Sequence, residues 1–445
     1  MVIDSMKTAE DLIYRSFMRA KDHMPNAGDA VTRNIGFTRK LLASIGQPDY
    51  GGRFILVTGS KGKGSTARLI ASLLSHHGCR VGLFTSPHLV DFTERIRVDG
   101  RAIPEPDFIR MMNQLKDPIK EIDGALSPSQ YIGPIGIALS AALVYFREKK
   151  TDINVIECGR GGRYDETNVL ENQWAVLTPI MGVHLKELGP TVIDVTDHKL
   201  GIVKQATETV VVGKQMPTIE AHIRRQLPKK TVYYAGESLQ ATGVHLDRQG
   251  THFTVQTDLQ TYPDLKLPLL GTFQAENAAV AVKLCEAVLG MRLKRDKTRQ
   301  AFASIQWPGR CEIIAQNPTV MVDGAINRES AQYLEDVVQA IGASKVVSLV
   351  AVPEDMDYQG VLAICDRFSD RIIVTEPTHS HKVFPKDAAA VARRMNPAHL
   401  AIKPLEKAVQ YANTLKPDLL LIIGTQTYIG EAKKLWGQSL LDIGK

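Results

Sequence analysis

The apolar positions of this chain fall into short blocks with two different spacings. Phe54-Ile55-Leu56-Val57, Val81 to Phe84, Ile153 to Ile156, Ala175 to Leu177 and Thr209 to Val212 are runs of strand length, and helical stretches separate them. Short apolar runs of this kind belong to strands covered on both faces, so the pattern predicts a parallel sheet between helices. Residues 8–46 predict helix, with Leu41, Leu42 and Ile45 on an apolar face and Gly46-Gln47-Pro48-Asp49 ending the stretch. Leu69, Ile70, Leu73 and Leu74 recur at helical spacing and predict a helix from Thr66 to His77. Ile132 to Phe146 predicts a buried helix, and Ala275 to Leu289 an Ala-rich one.

Between residues 231 and 270 the pattern changes. Tyr233-Tyr234, the alternating His252-Phe253-Thr254-Val255 and Leu265-Lys266-Leu267 predict antiparallel hairpins. A second α/β alternation follows Trp307-Pro308-Gly309-Arg310, with strands predicted at 319–323, 345–351, 371–375 and 418–423. The domain boundary is accordingly expected near residue 310. A chain of 445 residues exceeds what one core usually organises, which agrees with two domains.

Composition narrows the class. Hydrophobic residues at 44% and charged residues at 23% are ordinary for a soluble globular protein. The formal charge of +6 comes from 54 basic and 48 acidic residues without a long Lys/Arg block, which argues against nucleic acid as a partner. A mild positive bias suits small anions such as nucleotides and polycarboxylates. Cys79, Cys158, Cys285, Cys311 and Cys365 are scattered and form no C-x-x-C pair, as expected of reduced thiols in a cytoplasmic protein. Met1 to Arg15 has no continuous apolar core, and the run at Ile132 to Phe146 is shorter than the roughly 20 residues of a membrane span. No membrane association is expected. The absence of a heptad run makes a monomer the expected state.

Candidate chemistry begins where the first strand ends. Gly59-Ser60-Lys61-Gly62-Lys63-Gly64-Ser65-Thr66 lies between an apolar strand and a helix, one residue off the pattern G-x-x-x-x-G-K-[ST] because Gly64 separates Lys63 from Ser65. Backbone N–H groups of such a turn, with a helix N-terminus, form an anion cradle. Lys63 would reach the transferable phosphates of ATP, and Ser65 or Thr66 would hold Mg²⁺. A spaced third glycine for a dinucleotide is missing, which disfavours a dehydrogenase. Ile156-Glu157-Cys158-Gly159-Arg160-Gly161-Gly162 places the Glu157 carboxylate at the C-terminal edge of a strand. There it is either a Mg²⁺ ligand or a solvated turn residue. His184, in Met181-Gly182-Val183-His184-Leu185, is by itself as readily structural as metal-binding.

Taken in order, these segments resemble folylpolyglutamate synthase, a family of the Mur ligase superfamily, from about residue 40 onward. The family's G-T-N-G-K-G-S is Gly59 to Ser65 here, with Lys61 in place of Asn. Its S-P-H-L-x-x-x-x-E-R-I appears as Ser86-Pro87-His88-Leu89 and Glu94-Arg95-Ile96, and its E-V-G-x-G-G-R-x-D-x-T-N as Glu157 to Asn168. Later matches are Val183 to Thr191, His198-Lys199-Leu200-Gly201-Ile202, Gly271-x-x-Gln274-x-x-Asn277-Ala278, Trp307-Pro308-Gly309-Arg310-x-Glu312 and Asp323-Gly324-Ala325-Ile326-Asn327. Departures are Lys61, Val183 where the family has Asp, Ile326 where it has His, and Ser129-Gln130-Tyr131-Ile132-Gly133 where it has T-x-F-E.

The resemblance implies an α/β fold: a P-loop parallel-sheet ATPase domain with a small antiparallel β element over residues 1–310, and a C-terminal Rossmann-like α/β domain over 311–445. It implies an ATP-dependent ligase that adds an amino acid, L-glutamate, to a carboxylate acceptor, a reduced folate or folylpolyglutamate, through an acyl phosphate. By the same resemblance Lys63, His184 and Lys199 are catalytic, with Lys199 carrying a carbamate. Ser65, Glu157, His184 and Lys199 would hold Mg²⁺. The loop Gly59, Ser60, Lys61, Gly62, Lys63, Gly64, Ser65 and Thr66, with Asn277, Arg310 and Asp323, would bind ATP. Ser86, Pro87, His88, Glu94 and Arg95 would serve the acceptor. Two alternatives remain open at this point: a Mur-type ligase acting on a non-folate carboxylate, and a nucleotide-binding regulatory protein without ligase activity.

Overall fold

The computed structural model describes residues 2–378, 380 and 382–445. Strands β1 (Phe54–Thr58), β2 (Val81–Phe84), β3 (Ile96–Val98), β4 (Arg101–Ala102), β5 (Ile153–Glu157), β6 (Trp174–Leu177), β7 (Thr209–Val212) and β8 (Thr231–Tyr234) form one sheet in the order β4-β3-β2-β5-β1-β6-β7-β8. Pairing is parallel from β2 to β8, and β3 turns back antiparallel on β2. The continuous apolar run of β1 has a simple cause. Phe54 and Leu56 enter the core beneath helices Met6–Ala20, Glu105–Gly124 and Pro134–Glu148, whereas Ile55 and Val57 enter the opposite core beneath helices Lys63–His76 and Phe273–Leu289. Side chains alternate across a strand, so a strand covered twice must be apolar at both parities.

Strands β9 (Leu239–Asp247), β10 (Gly250–Thr257) and β11 (Thr261–Leu267) form a separate antiparallel sheet, with Phe253, Val255 and Tyr262 joining the core under Phe273–Leu289. The chain then passes to a third sheet between Ala303 and Glu312. There β12 (Glu312–Ala315), β13 (Thr319–Asp323), β14 (Val346–Ala351), β15 (Arg371–Val374), β16 (Leu400–Ala401) and β17 (Leu419–Gly424) run in the order β12-β13-β17-β14-β15-β16. Only the β12–β13 pair is antiparallel. Residues beyond helix Gln426–Leu435 return to the first sheet: Ala102 N–H donates to Leu441 O at 2.7 Å, and Ile443 N–H to Gly100 O at 3.2 Å.

Two expectations change. Residues 8–46 are not one helix but Met6–Ala20, a 3₁₀ turn at Lys21–His23, a short helix Asp29–Thr32 and a helix Gly36–Ser44. Pro25 lacks an N–H and Gly28 favours a break, so the helical register cannot run through. Tyr233-Tyr234 is not part of a hairpin; it is the parallel edge strand β8, delivered beside β7 by the crossover helix Pro217–Gln226. Among the described residues no helix is long and apolar enough to cross a membrane, and all five cysteines are free.

Candidate functional site

The phosphate-binding loop leaves the central strand of the first sheet. Gly59 has φ 148° and a Cβ there would lie 1.9 Å from Thr178 Oγ1, so only glycine fits against the strand next door. The loop is then pinned on both sides. Ser60 and Lys61 N–H donate to Pro179 O at 2.8 and 3.4 Å, Met181 N–H donates to Ser60 Oγ at 2.9 Å, and Thr178 Oγ1 donates to Lys61 O at 2.5 Å. Gly62, at φ 81°, starts the helix Lys63–His76. The first N–H groups of that helix have no intrahelical acceptor and face the loop, which makes the cradle attractive to an anion.

Gly64, the residue that breaks the common pattern, has a steric reason. A Cβ there would stand 3.0 Å from the Trp307 ring and 3.3 Å from Glu157 Oε2. Its absence lets the linker tryptophan and the carboxylate at the end of β5 close over the helix N-terminus. Glu157 is buried and accepts a hydrogen bond from Ser86 N–H at 3.0 Å. Burial raises its pKa, opposed by the Lys63 cation.

The loop, Glu157, Asn277 and Arg310 line one cleft of about 380 Å³ between the two sheet systems. Phe273 from the first domain and Tyr333 from the second meet across it with ring centroids 4.6 Å apart. Asn277 Oδ1 would be 2.7 Å from a Cβ on Gly62, so glycine there admits the amide to the loop. Arg310 Nη1 donates to Gly309 O at 2.8 Å. The Gln426 amide oxygen, oriented to satisfy both groups, accepts from the two Arg310 Nη atoms at 2.6 and 3.0 Å. Lys61 and Lys63 have no hydrogen bond or ion pair from their ammonium groups among the described residues.

Other expected residues lie elsewhere. Thr66 is fully buried and its hydroxyl faces no partner, so Ser65 is the hydroxyl that reaches the cleft. Asp323 is sealed beneath the cleft floor: its carboxylate accepts from Cys311 N–H at 2.9 Å, Ala325 N–H at 2.8 Å and Tyr333 Oη at 2.7 Å. Lys199 is buried behind the loop and donates from Nζ to Gly59 O at 2.8 Å. Burial, reinforced by Lys63, holds its pKa down to about 7. His184 starts a short helix in the left-handed region at φ 57°, with 47% of its side chain exposed, and does not line the cleft. Partial desolvation lowers its pKa, with Glu187 4.0 Å away opposing. No cluster of three or more His, Cys, Asp or Glu is arranged to hold a metal among the described residues.

The segment Ser86 to Arg95 closes on itself. Glu94 accepts from Leu89, Val90 and Asp91 N–H at 3.2, 2.9 and 2.6 Å, so its carboxylate shapes the loop. Arg95 donates from Nε to His88 Nδ1 at 2.9 Å and lies over the Phe92 ring at 4.6 Å. Burial, with Arg95 and Lys434 nearby, pushes the imidazole pKa down to about 3. Ser86, Pro87 and Glu94 line a smaller cavity of about 50 Å³ that shares Gly64, Glu157, Arg310 and Gln426 with the nucleotide cleft. Gln426 was not foreseen from the sequence. The signal was present, since it follows the apolar run Leu419 to Gly424, as Glu157 ends β5.

Comparisons with known proteins bear directly on this cleft. Residues 57–285 match the Mur ligase middle domain and 309–426 the Mur ligase glutamate ligase domain. The dihydrofolate synthase/folylpolyglutamate synthase of Bacillus subtilis is 31% identical over 343 residues, spanning 75% of this chain and 78% of that protein. The chain belongs to the folylpolyglutamate synthase family of Mur ligases. The Mycobacterium tuberculosis dihydrofolate synthase/folylpolyglutamate synthase is 29% identical over 442 residues, 89% of each chain. A folylpolyglutamate synthase structure from that organism, complexed with ADP and AMPPCP, superposes with a TM-score of 0.86 at 25% identity, covering 97% of this chain and 99% of that one. This Mur ligase is an ATP-dependent enzyme that joins a carboxylic acid to an amino acid.

Proposed function

We propose that this ligase adds L-glutamate to a reduced folate or folylpolyglutamate, releasing ADP and phosphate. The observation that carries the reading is the cleft itself, where a helix N-terminus and the cations Lys61, Lys63 and Arg310 converge beside Glu157. A free carboxylate expels hydroxide poorly, so the acceptor carboxylate first attacks the γ-phosphate of ATP. Lys63 and the loop N–H groups stabilise charge on the transferring phosphoryl group. The glutamate amine then attacks the acyl phosphate carbon, and phosphate leaves.

Glu157 and the Ser65 hydroxyl would hold a Mg²⁺, since both face the cleft and Glu157 keeps carboxylate lone pairs beyond its Ser86 bond. Such an ion would neutralise phosphate charge during transfer. Lys199 steadies the loop through Gly59 O, and its depressed pKa suits the carbamate that the family resemblance implies. Arg310 and Gln426 join the second domain to the phosphates, so closure would align the substrates and exclude water from the acyl phosphate.

The test is ADP formation with reduced folates as acceptors, with and without L-glutamate. Glutamate-dependent turnover is expected; its absence with every reduced folate would overturn the acceptor assignment. Ile326, which lines the cleft where the family pattern has His, keeps a non-folate carboxylate as the second reading. Thermal stabilisation by folates in the presence of an ATP analogue separates the two.

A further inference from the structure

Lys61 is the point at which the loop departs from its family pattern, and its side chain lines the cleft with Lys63 and Arg310. Its backbone is already committed, the N–H to Pro179 O at 3.4 Å and the carbonyl to Thr178 Oγ1 at 2.5 Å, so what it can offer a ligand is its ammonium. That ammonium has no hydrogen bond or ion pair among the described residues. Burial, then Arg310 and Lys63, hold its pKa down to about 8, while Asp323 and Glu329 of the second domain act in the opposite sense. A half-buried cation facing two others is costly in the empty cleft, and a polyanion relieves that cost.

We propose that the Lys61 ammonium is a third cationic ligand of the nucleotide polyphosphate, and sharpens discrimination of nucleoside di- and triphosphates from monophosphates beyond what a neutral Asn would give. The proposal rests on the nucleotide reading of the cleft. An ammonium brings three donors and a net charge where an amide brings a dipole, and charge-assisted bonds are about twice as strong as neutral ones. Glu329 lines the same cleft and, with the buried Asp323, favours the charged form of Lys61, so nucleotide binding would draw on both sides of the cleft.

The experiment measures ADP and AMP binding by calorimetry, and steady-state kinetics, for the wild type, Lys61→Asn, Lys61→Arg and Lys63→Ala. Lys61→Asn should weaken ADP binding about tenfold and raise KM for ATP similarly, with AMP binding and kcat within about twofold and Lys61→Arg close to wild type. Wild-type ADP affinity should also fall as pH rises beyond about 8, with a flatter profile in Lys61→Asn. Equal ADP affinity in wild type and Lys61→Asn, or equal losses for ADP and AMP, would overturn the proposal. If Lys63→Ala also leaves ADP binding untouched, the nucleotide reading of the cleft fails instead.

Discussion

Two groups of cations in the first domain are treated in opposite ways. Arg68, one turn along the helix that begins at Lys63, is 1% exposed and forms no ion pair with an Asp or Glu among the described residues. Its Nη2 donates to Ile443, Gly444 and Lys445 carbonyls at 2.8, 2.9 and 3.1 Å, and its Nε to Gln306 O at 3.2 Å. Arg97 nearby donates from Nη2 to Leu440 O at 2.6 Å. Burial pushes the two guanidinium pKa values down to about 9 and about 10, and both are held by backbone carbonyls, although Arg97 also lines the smaller cavity of about 50 Å³. Lys61 and Lys63, by contrast, line a cleft of about 380 Å³ and have no acceptor for their ammonium groups among the described residues. A buried cation capped by backbone carbonyls fastens structure; one held without acceptors beside a cleft is waiting for an anion.

Removing a charge from each place should therefore break different properties. Lys63→Ala should lower kcat/KM by about 10³-fold or more, because the lost cation acts on charge that develops during phosphoryl transfer. Its unfolding midpoint should stay near wild type, since no structural bond is lost. Retained turnover in a phosphate-release assay would remove Lys63 from the chemistry. Arg68→Met should do the reverse, leaving the Gln306, Ile443 and Gly444 carbonyls without a donor, and Lys445 O with Ser72 Oγ alone, at a cost of about 3 kcal/mol. Denaturant unfolding measures it, together with faster proteolysis of residues 437–445. An unchanged midpoint would mean that the returning segment is not a fastening.

The contrast also marks what a sequence can and cannot reveal. The strands feeding the cleft were legible because double coverage makes them continuously apolar, as Phe54 to Val57 shows. The loop was legible because its chemistry is local, within eight residues of one turn. Arg68 lies 238 positions from Gln306 and 375 or more from the carbonyls of residues 443–445, and nothing in the spacing of either segment announces the other. Asp323 reads as a strand-end carboxylate exactly like Glu157 in pattern, but Tyr333 and two N–H groups from neighbouring turns enclose it. Tyr233-Tyr234 read as a hairpin because β-branched and aromatic character does not say which strand lies alongside; the crossover helix decided that.

Gly64 tests how closely the open cluster is built. Gly64→Ala places a methyl 3.0 Å from Trp307 and 3.3 Å from Glu157, so either the ring or the carboxylate must shift by a few tenths of an ångström. A displacement of that size at a phosphate site should lower kcat/KM about tenfold while costing under about 1 kcal/mol in stability. Kinetics within twofold of wild type would show that Trp307 moves aside freely.

The smallest effect concerns Arg95, a buried guanidinium of a third kind, whose Nε acceptor is the His88 imidazole 2.9 Å away. The folded-state pKa of His88 lies near 3, below its ordinary 6.5, because burial and the Arg95 and Lys434 cations disfavour a second proton. Between those values the unfolded chain binds more protons than the folded one, so stability is fully present above about pH 6.5 and declines as pH falls toward 3. His88→Asn retains an acceptor for Arg95 but cannot take up the proton. Thermal midpoints at pH 7.5 and pH 5.0 should therefore fall further for the wild type than for His88→Asn. Parallel losses in the two proteins would mean that Arg95 does not need a neutral partner, and that its ring contact with Phe92 suffices to hold it.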